Sequence, residues 1–333
     1  MEGNDVMEYL QSLAPIFDKE IEKAIPRNRE PKEVYGIIWD LLDRGGKRFR
    51  PAMCMLSAEA VGGDGKKTIP AGAAIEMFHS FTLMHDDIED NSEMRRGKPC
   101  VHKIYGLPLA INAGDGLFMM VWEEFQRLDF PPERVMAAQK TLTTAFRRVL
   151  EGQAMELEWY RAGRFDVGEK EFLRMVEGKT GALIAASCEV GGYLGGAGKS
   201  QLEALRNFGT AVGIAFQVQD DVLNLAGDAT AYGKEIGGDI SEGKRSLITI
   251  HALSHAPKAE RGRLMEILAE KTKEQAKVKE AIAICKQAGS IDYAAEKAKR
   301  MVEDAKKGLM VLPNNAASRR LLQLADFFIY REV

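Results

Sequence analysis

The sequence predicts an all-α protein, a single large helical bundle spanning residues 1–333. Three observations predict it. Apolar residues recur at alternating spacings of three and four along most of the chain. Alternating Val/Ile/Thr runs closed by hairpin dipeptides are nearly absent. Glycine clusters at 45–46, 62–65, 191–198 and 237–243 punctuate the helical stretches, but none is long enough to link independent domains, and no internal repeat stands out.

In chain order, helices are expected over 7–24, 33–44, 48–62, 69–90 and 107–127. Pro131-Pro132-Glu133 then reads as a helix start, with proline in the first turn and an acid at the positive end of the dipole. Val135, Ala138, Leu142, Ala145, Val149, Gly152, Glu156 and Trp159 form its buried seam. Further helices are expected over 169–192, 199–225, 245–255 and 260–285. A tail over 290–331 is broken by a turn at Leu312-Pro313-Asn314-Asn315. The segment 258–310 is strongly charged and amphipathic, as in peripheral helices with one solvated face.

Composition excludes several classes. Lys and Arg number 46 against 49 Asp and Glu, a net charge of -3, so nothing favours a nucleic-acid partner. Hydrophobic residues at 45% and aromatics at 8% argue against disorder. No uncharged apolar run approaches the roughly 20 residues of a transmembrane helix, and the N-terminal MEGNDVMEYL is acidic where a secretory signal is basic. Cys54, Cys100, Cys188 and Cys285 lie far apart, which excludes a thiolate zinc site, argues against a disulfide framework and places the chain in a reducing cytosol.

The near-neutral total hides local clustering. Negative charge is packed into His85-Asp86-Asp87-Ile88-Glu89-Asp90, which follows an apolar stretch. Asp86 and Asp90 share one helix face and repel by a few tenths of a kcal/mol unless a cation offsets it. All-oxygen ligands suit a hard ion such as Mg²⁺. Taken alone, such a motif is more often an acidic helix end facing water. The second motif, Gln217-Val218-Gln219-Asp220-Asp221 with Asn224 four residues on, again ends an apolar helix. Two such clusters would hold metal ions around a polyanion.

Cations accompany them. Gly45-Gly46-Lys47-Arg48-Phe49-Arg50-Pro51 opens a helix, whose N–H groups also favour phosphate. Arg95-Arg96-Gly97 follows the first motif, Lys179-Thr180 sits in EGKTG, and Lys234 and Lys244 follow the second. No phosphate-binding loop of the nucleotide enzymes is present. Of five histidines, none is expected to have a partner at ligand spacing, which leaves a metal phosphohydrolase unsupported.

GGKRFRP, HDDIEDNSEMRRGKP, the Gly152-Gln153 pair, EGKT, FQVQDD and GKEIGGDISEGKR, in that order, resemble the trans-isoprenyl diphosphate synthases, the family of farnesyl and geranylgeranyl diphosphate synthases. The resemblance runs from about residue 40 to 251 and implies an all-helical isoprenoid synthase fold around a deep central apolar pocket. It implies that Asp86, Asp90 and Asp220 ligate three Mg²⁺ ions, with Asp87 and Asp221 supporting them. Arg95, Lys179, Lys234 and Lys244 would bind the allylic diphosphate, and Lys47, Arg50, His79 and Arg96 isopentenyl diphosphate. Thr180, Gln217 and the carbonyl of Lys179 would line the forming cation.

Asn224 stands where many members carry aspartate, which puts metal affinity at that position in question. The spacing Asp220, Asn224, Asp228 faintly echoes terpene cyclases, but GGKRFRP and RRG favour chain elongation over cyclisation. A non-catalytic partner subunit is disfavoured because both aspartate motifs remain. Phe81, five residues before Asp86, and Phe78, three residues deeper, resemble the floor that stops the growing chain, with Phe118 of another helix a further candidate. With Thr82 beside Phe81, this resembles the archaeal geranylgeranyl type; the expected product has twenty carbons, with fifteen as the alternative. The resemblance also implies a homodimer in the cytoplasm.

Overall fold

A computed structural model describes residues 2–226 and 236–330. Its helices are α1 (Glu2–Ala24), α2 (Lys32–Leu42), α3 (Phe49–Ala60), α4 (Ile69–Glu89), α5 (Val101–Tyr105), α6 (Leu107–Phe125), α7 (Pro132–Arg161) and α8 (Glu169–Val176). They continue with α9 (Ala182–Gly195), α10 (Lys199–Ala226), α11 (Gly238–Ser241), α12 (Leu247–His255), α13 (Lys258–Glu270), α14 (Gln275–Gln287), α15 (Ser290–Gly308) and α16 (Ala316–Tyr330). The only strands among the described residues are β1 (Met94–Arg95) and β2 (Lys98–Pro99), an antiparallel pair. The all-α expectation is met, and no described helix is long and apolar enough to cross a membrane.

The chain divides into two compact units. The first comprises Met1–Leu142, Ser187–Leu202 and Leu312–Leu321; the second comprises Thr143–Ala186, Glu203–Val311 and Leu322–Val333. In the first, α4 packs against α1, α3 and α6, and α2 packs on α6. The buried face of α4 runs from Ala71 through Ile75, Met77, Phe78 and Phe81 to Met84. Asn315 donates from Nδ2 to the carbonyls of Glu59 and Ala60, satisfying acceptors that the end of α3 leaves open. In the second, α12 packs on α15, α13 on α14, and α14 on α15. Ser246 caps α12 by accepting from the Thr249 N–H.

Four local expectations need correction. The stretch 260–285 is two helices, α13 and α14, separated where Lys271 takes a left-handed conformation at φ 49°. The stretch 169–192 is broken by a π-helical turn over Glu177–Gly181. The glycines of 191–198 do not simply end a helix. Gly191 and Gly195 lie inside α9, where a Cβ would collide with Cys54 and Ala58 of α3, so they permit backbone contact within the first unit. Finally, His251 and His255 are four residues apart on α12, at ligand spacing after all. Their rings stack nearly parallel at 3.9 Å rather than converging on one point.

Candidate active site

In the first unit, α4 carries Phe78, His79, Phe81, Asp86 and Asp87, and Asp90 is its C-cap, donating its N–H to the Asp86 carbonyl. Just after it, Arg96 and Gly97 at φ 53° and 77° form the tight turn between β1 and β2. That hairpin folds Arg95 back onto the first motif. Asp87 Oδ1 accepts from Arg95 Nε at 2.9 Å and from Nη2, while Asp86 Oδ2 lies 3.6 Å from Nη2. Asp87 is buried, Asp86 half-buried and Asp90 exposed.

The residues expected to hold a second diphosphate also come together here. Arg48, the residue before α3, is left-handed at φ 48°. Its Nη1 donates to buried Glu76 Oε1 at 2.9 Å, and its Nε to Asp18 Oδ1 at 2.7 Å. Burial opposes the Arg48 charge, and Glu76 and Asp18 more than restore it. Gly46 has no Cβ to obstruct the guanidinium groups of Arg48 and Arg96, which would lie about 3.0 Å from one.

Arg50 and Arg96 differ from Arg48. No carboxylate among the described residues forms an ion pair with either, and Arg50 Nε is buried without a hydrogen-bond partner. Burial lowers the pKa of both, and each is pushed lower by neighbouring arginines. His79 is held well below the usual imidazole range, first by burial and then by Arg50, Arg96, Arg95 and Arg48. Burial and the surrounding guanidinium charges both favour the neutral imidazole. Lys47 lies exposed in the loop entering α3.

Along α4 from Asp86, three rings meet. Phe81 lies 5.5 Å from Phe78 and 5.2 Å from Phe118 of α6, and Phe78 lies 6.1 Å from Phe118. The His85 ring packs tilted against Phe81 with centroids 4.6 Å apart, in space that exists because residue 114 is glycine.

In the second unit, the Lys179–Thr180 pair sits on the π-helical turn. The turn is gripped by α7, where a Cβ on Gly152 would strike the Lys179 backbone, and by α10, where one on Gly213 would lie 2.6 Å from Gly181 Cα. Lys179 Nζ pairs with Glu156 Oε2 at 2.5 Å. Thr180 Oγ1 donates to Gln217 Oε1 at 3.3 Å, and Gln217 Nε2 donates to Asp221 Oδ1 at 3.1 Å. Lys244 Nζ lies 2.8 Å from Asp221 Oδ1 and 3.3 Å from Asp239 Oδ2. Burial pushes Asp221 up to about 7 against the pull of Lys244. Lys244 is raised well above its ordinary value, because Asp221 and Asp239 outweigh its burial. Asp220 is half-buried. Asn224 is buried, and its Oδ1 accepts the Asp239 N–H at 3.0 Å, so the oxygen expected to serve a metal tethers α11 instead. Lys234 and Asp228 lie outside the described residues.

Among the described residues, no three His, Cys, Asp or Glu side chains are gathered closely enough to hold a metal ion. The donors at both motifs nevertheless fit a hard divalent ion. All are oxygens, and Asp87 and Asp221 each bury an Oδ2 that has no hydrogen-bond partner. Sequence reasoning missed the carboxylates that partner the cations: Glu76, Glu156 and Asp239. Glu76 was the detectable one, a single acid within the apolar run from Ala71 to Phe78.

Residues 31–285 match the polyprenyl synthetase family. A short chain isoprenyl diphosphate synthase of Methanothermobacter thermautotrophicus is 38% identical over 98% of this chain and 99% of its own. A geranylgeranyl pyrophosphate synthase of Geoglobus acetivorans is also 38% identical, over 98% of this chain and 99% of its own. The crystal structure of geranylgeranyl pyrophosphate synthetase from Pyrococcus horikoshii superposes with a TM-score of 0.95 at 39% identity, covering 100% of both chains.

Proposed function

This chain belongs to the polyprenyl synthetase family, and we propose that it is a short-chain trans-prenyltransferase that elongates an allylic diphosphate with isopentenyl diphosphate to geranylgeranyl diphosphate. The observation that carries this reading is the arginine cradle of the first unit. A chain with two aspartate motifs for a metal-bound diphosphate also keeps Arg50 and Arg96 without an ion-paired carboxylate among the described residues, as a second diphosphate in a two-substrate condensation requires and a cyclisation does not.

Members of the family use a divalent metal; we assign it as Mg²⁺, three ions held by Asp86, Asp90 and Asp220, with Asp87 and Asp221 supporting. When bound, those ions stabilise the charge that develops on the leaving diphosphate. Arg95, Lys179, Lys234 and Lys244 hold that diphosphate while the allylic C–O bond breaks and its electron pair leaves with oxygen. Lys47, Arg50, His79 and Arg96 hold isopentenyl diphosphate, whose double bond attacks the allylic cation. Thr180, Gln217 and the carbonyl of Lys179 direct negative ends of dipoles at that cation. A proton is then lost to the departed diphosphate, leaving a chain five carbons longer. The chain extends into an apolar pocket that excludes water, and Phe81, backed by Phe78 and Phe118, stops it at twenty carbons.

Both units act as one catalytic domain over 1–333, a reading supported by the family match, which includes residues of each. The functional form is a cytoplasmic homodimer. Exposed Ile104, Tyr105, Leu107, Leu109 and Ile111 supply an apolar surface in the first unit, and all four cysteines are free and buried. Incubation with isopentenyl diphosphate, Mg²⁺ and allylic starters of five, ten or fifteen carbons should yield twenty-carbon product by chromatography. Failure to incorporate isopentenyl diphosphate would overturn the elongation reading. Light scattering should give twice the chain mass.

A further inference from the structure

Resting on the assignment of the cradle as a diphosphate site, we propose that Glu76 is the resident counter-ion of the empty cradle: it stands in for the diphosphate charge and competes with it for the same arginines. Glu76 lies one helical turn before His79 on α4 and is 3% exposed. Arg44, Arg48, Arg50, Arg95 and Arg96 all belong to the same unit, and arginine cannot shed its charge there. Collecting so many like charges in a poorly hydrated place is unfavourable unless something offsets it.

Arg48 is largely occupied. It donates to Glu76, to Asp18 and to the carbonyls of Gly45 and Leu42, four bonds from its five N–H groups. The influence of Glu76 reaches further than this bond. For both Arg50 and Arg96 it is the largest charge favouring the protonated guanidinium, while the neighbouring arginines oppose it. One carboxylate thus anchors Arg48 and balances Arg50 and Arg96.

A bound diphosphate makes that balance redundant and places a second negative charge against Glu76. The empty cradle is therefore more stable for having Glu76, and the filled cradle less so. In an elongating enzyme this sign is useful. The diphosphate delivered with isopentenyl diphosphate remains on the lengthened chain, and it must leave this cradle before the next addition. Glu76 is a positioning residue that keeps the cradle formed yet easy to vacate.

The experiment uses the full chain with EDTA and inorganic pyrophosphate, so that it depends on neither metal nor turnover. Glu76→Gln should lower the Tm of the ligand-free protein and enlarge the Tm rise that pyrophosphate produces, with binding roughly tenfold tighter. In turnover assays its KM for isopentenyl diphosphate and its kcat should fall together. Asp18→Asn removes the other carboxylate on Arg48 and should lower Tm while leaving the pyrophosphate rise at the wild-type value. A merely structural Glu76 predicts an unchanged or smaller rise in Glu76→Gln, and that result overturns the proposal. Should Glu76→Gln not fold alone, refolding in pyrophosphate should recover it, and no recovery overturns the proposal equally. If pyrophosphate stabilises neither wild type nor variant, the assignment of the cradle itself fails, a result distinct from either of those.

Discussion

The two units handle positive charge in opposite ways. In the second, Lys179 is matched to Glu156, and Lys244 to Asp221 and Asp239. In the first, Arg95 and Arg48 are matched, to Asp87 and Asp86 and to Glu76 and Asp18, while Arg50 and Arg96 form no ion pair among the described residues. A lysine matched to a carboxylate must trade that partner for a ligand's phosphate oxygens before it can hold the ligand. A bare diphosphate needs cations already unmatched. On the proposed assignment, the difference would let one protein treat two chemically similar diphosphates differently, one with metal and one without.

The largest expected effect tests the metal half of that contrast. Asp86→Ala should lower turnover by about 10³-fold or more while leaving the circular dichroism spectrum of the folded chain intact; activity near wild type would remove the metal role from the first motif. Next, the two buried aspartates should diverge. Asp87→Asn breaks a buried pair with Arg95 and should cost about 3 kcal/mol in denaturant unfolding. Asp221→Asn should cost about 1 kcal/mol, since burial already pushes Asp221 up to about 7 and Lys244 keeps Asp239. Equal costs would erase the asymmetry between the motifs. Phe81→Ala should lengthen the products by about one isoprene unit, since Phe78 lies one further turn along α4, about 4.5 Å of helical rise; product chromatography reads this, and an unchanged distribution refutes the floor.

The smallest effect is a pH slope. His79 is held well below its ordinary 6.5 in the folded chain. Below that pH the unfolded chain takes up a proton that the folded chain refuses. Stability is thus fully present above pH 6.5 and is lost as pH falls toward the lowered folded value, with a slope of up to one proton. His79→Gln should flatten the decline of Tm between roughly pH 6.5 and 5. An unaltered decline would show that the imidazole titrates normally and that the arginines around it are better compensated than described.

The long helices were legible because a 3.6-residue repeat records which side chains are buried, whereas short α5 and α11 carry too few turns to show one. The aspartate and arginine motifs were legible because unusual charge beside glycine has few other uses. What stayed hidden depended on pairs distant in sequence. Nothing near Lys179 names Glu156, and nothing near Arg48 names Glu76, twenty-eight residues away. The Arg96–Gly97 turn reads in the sequence as charge, yet its work is also geometric, since two left-handed residues fold Arg95 back onto Asp87. Asn224 could be seen as a departure, but its bond to the Asp239 N–H needed the fold.

The π-helical turn at Glu177–Gly181 has a consequence for how this protein can change. Such a turn is an α-helix with one residue too many, so the direction in which Lys179 and Thr180 point is encoded by chain length as well as by side-chain identity. Removing a single residue there would let the helix relax to regular winding and would rotate everything on one side of it by about 100° relative to the other. Substitutions across the turn cannot reproduce that rotation. This stretch should therefore tolerate hardly any change in the number of residues.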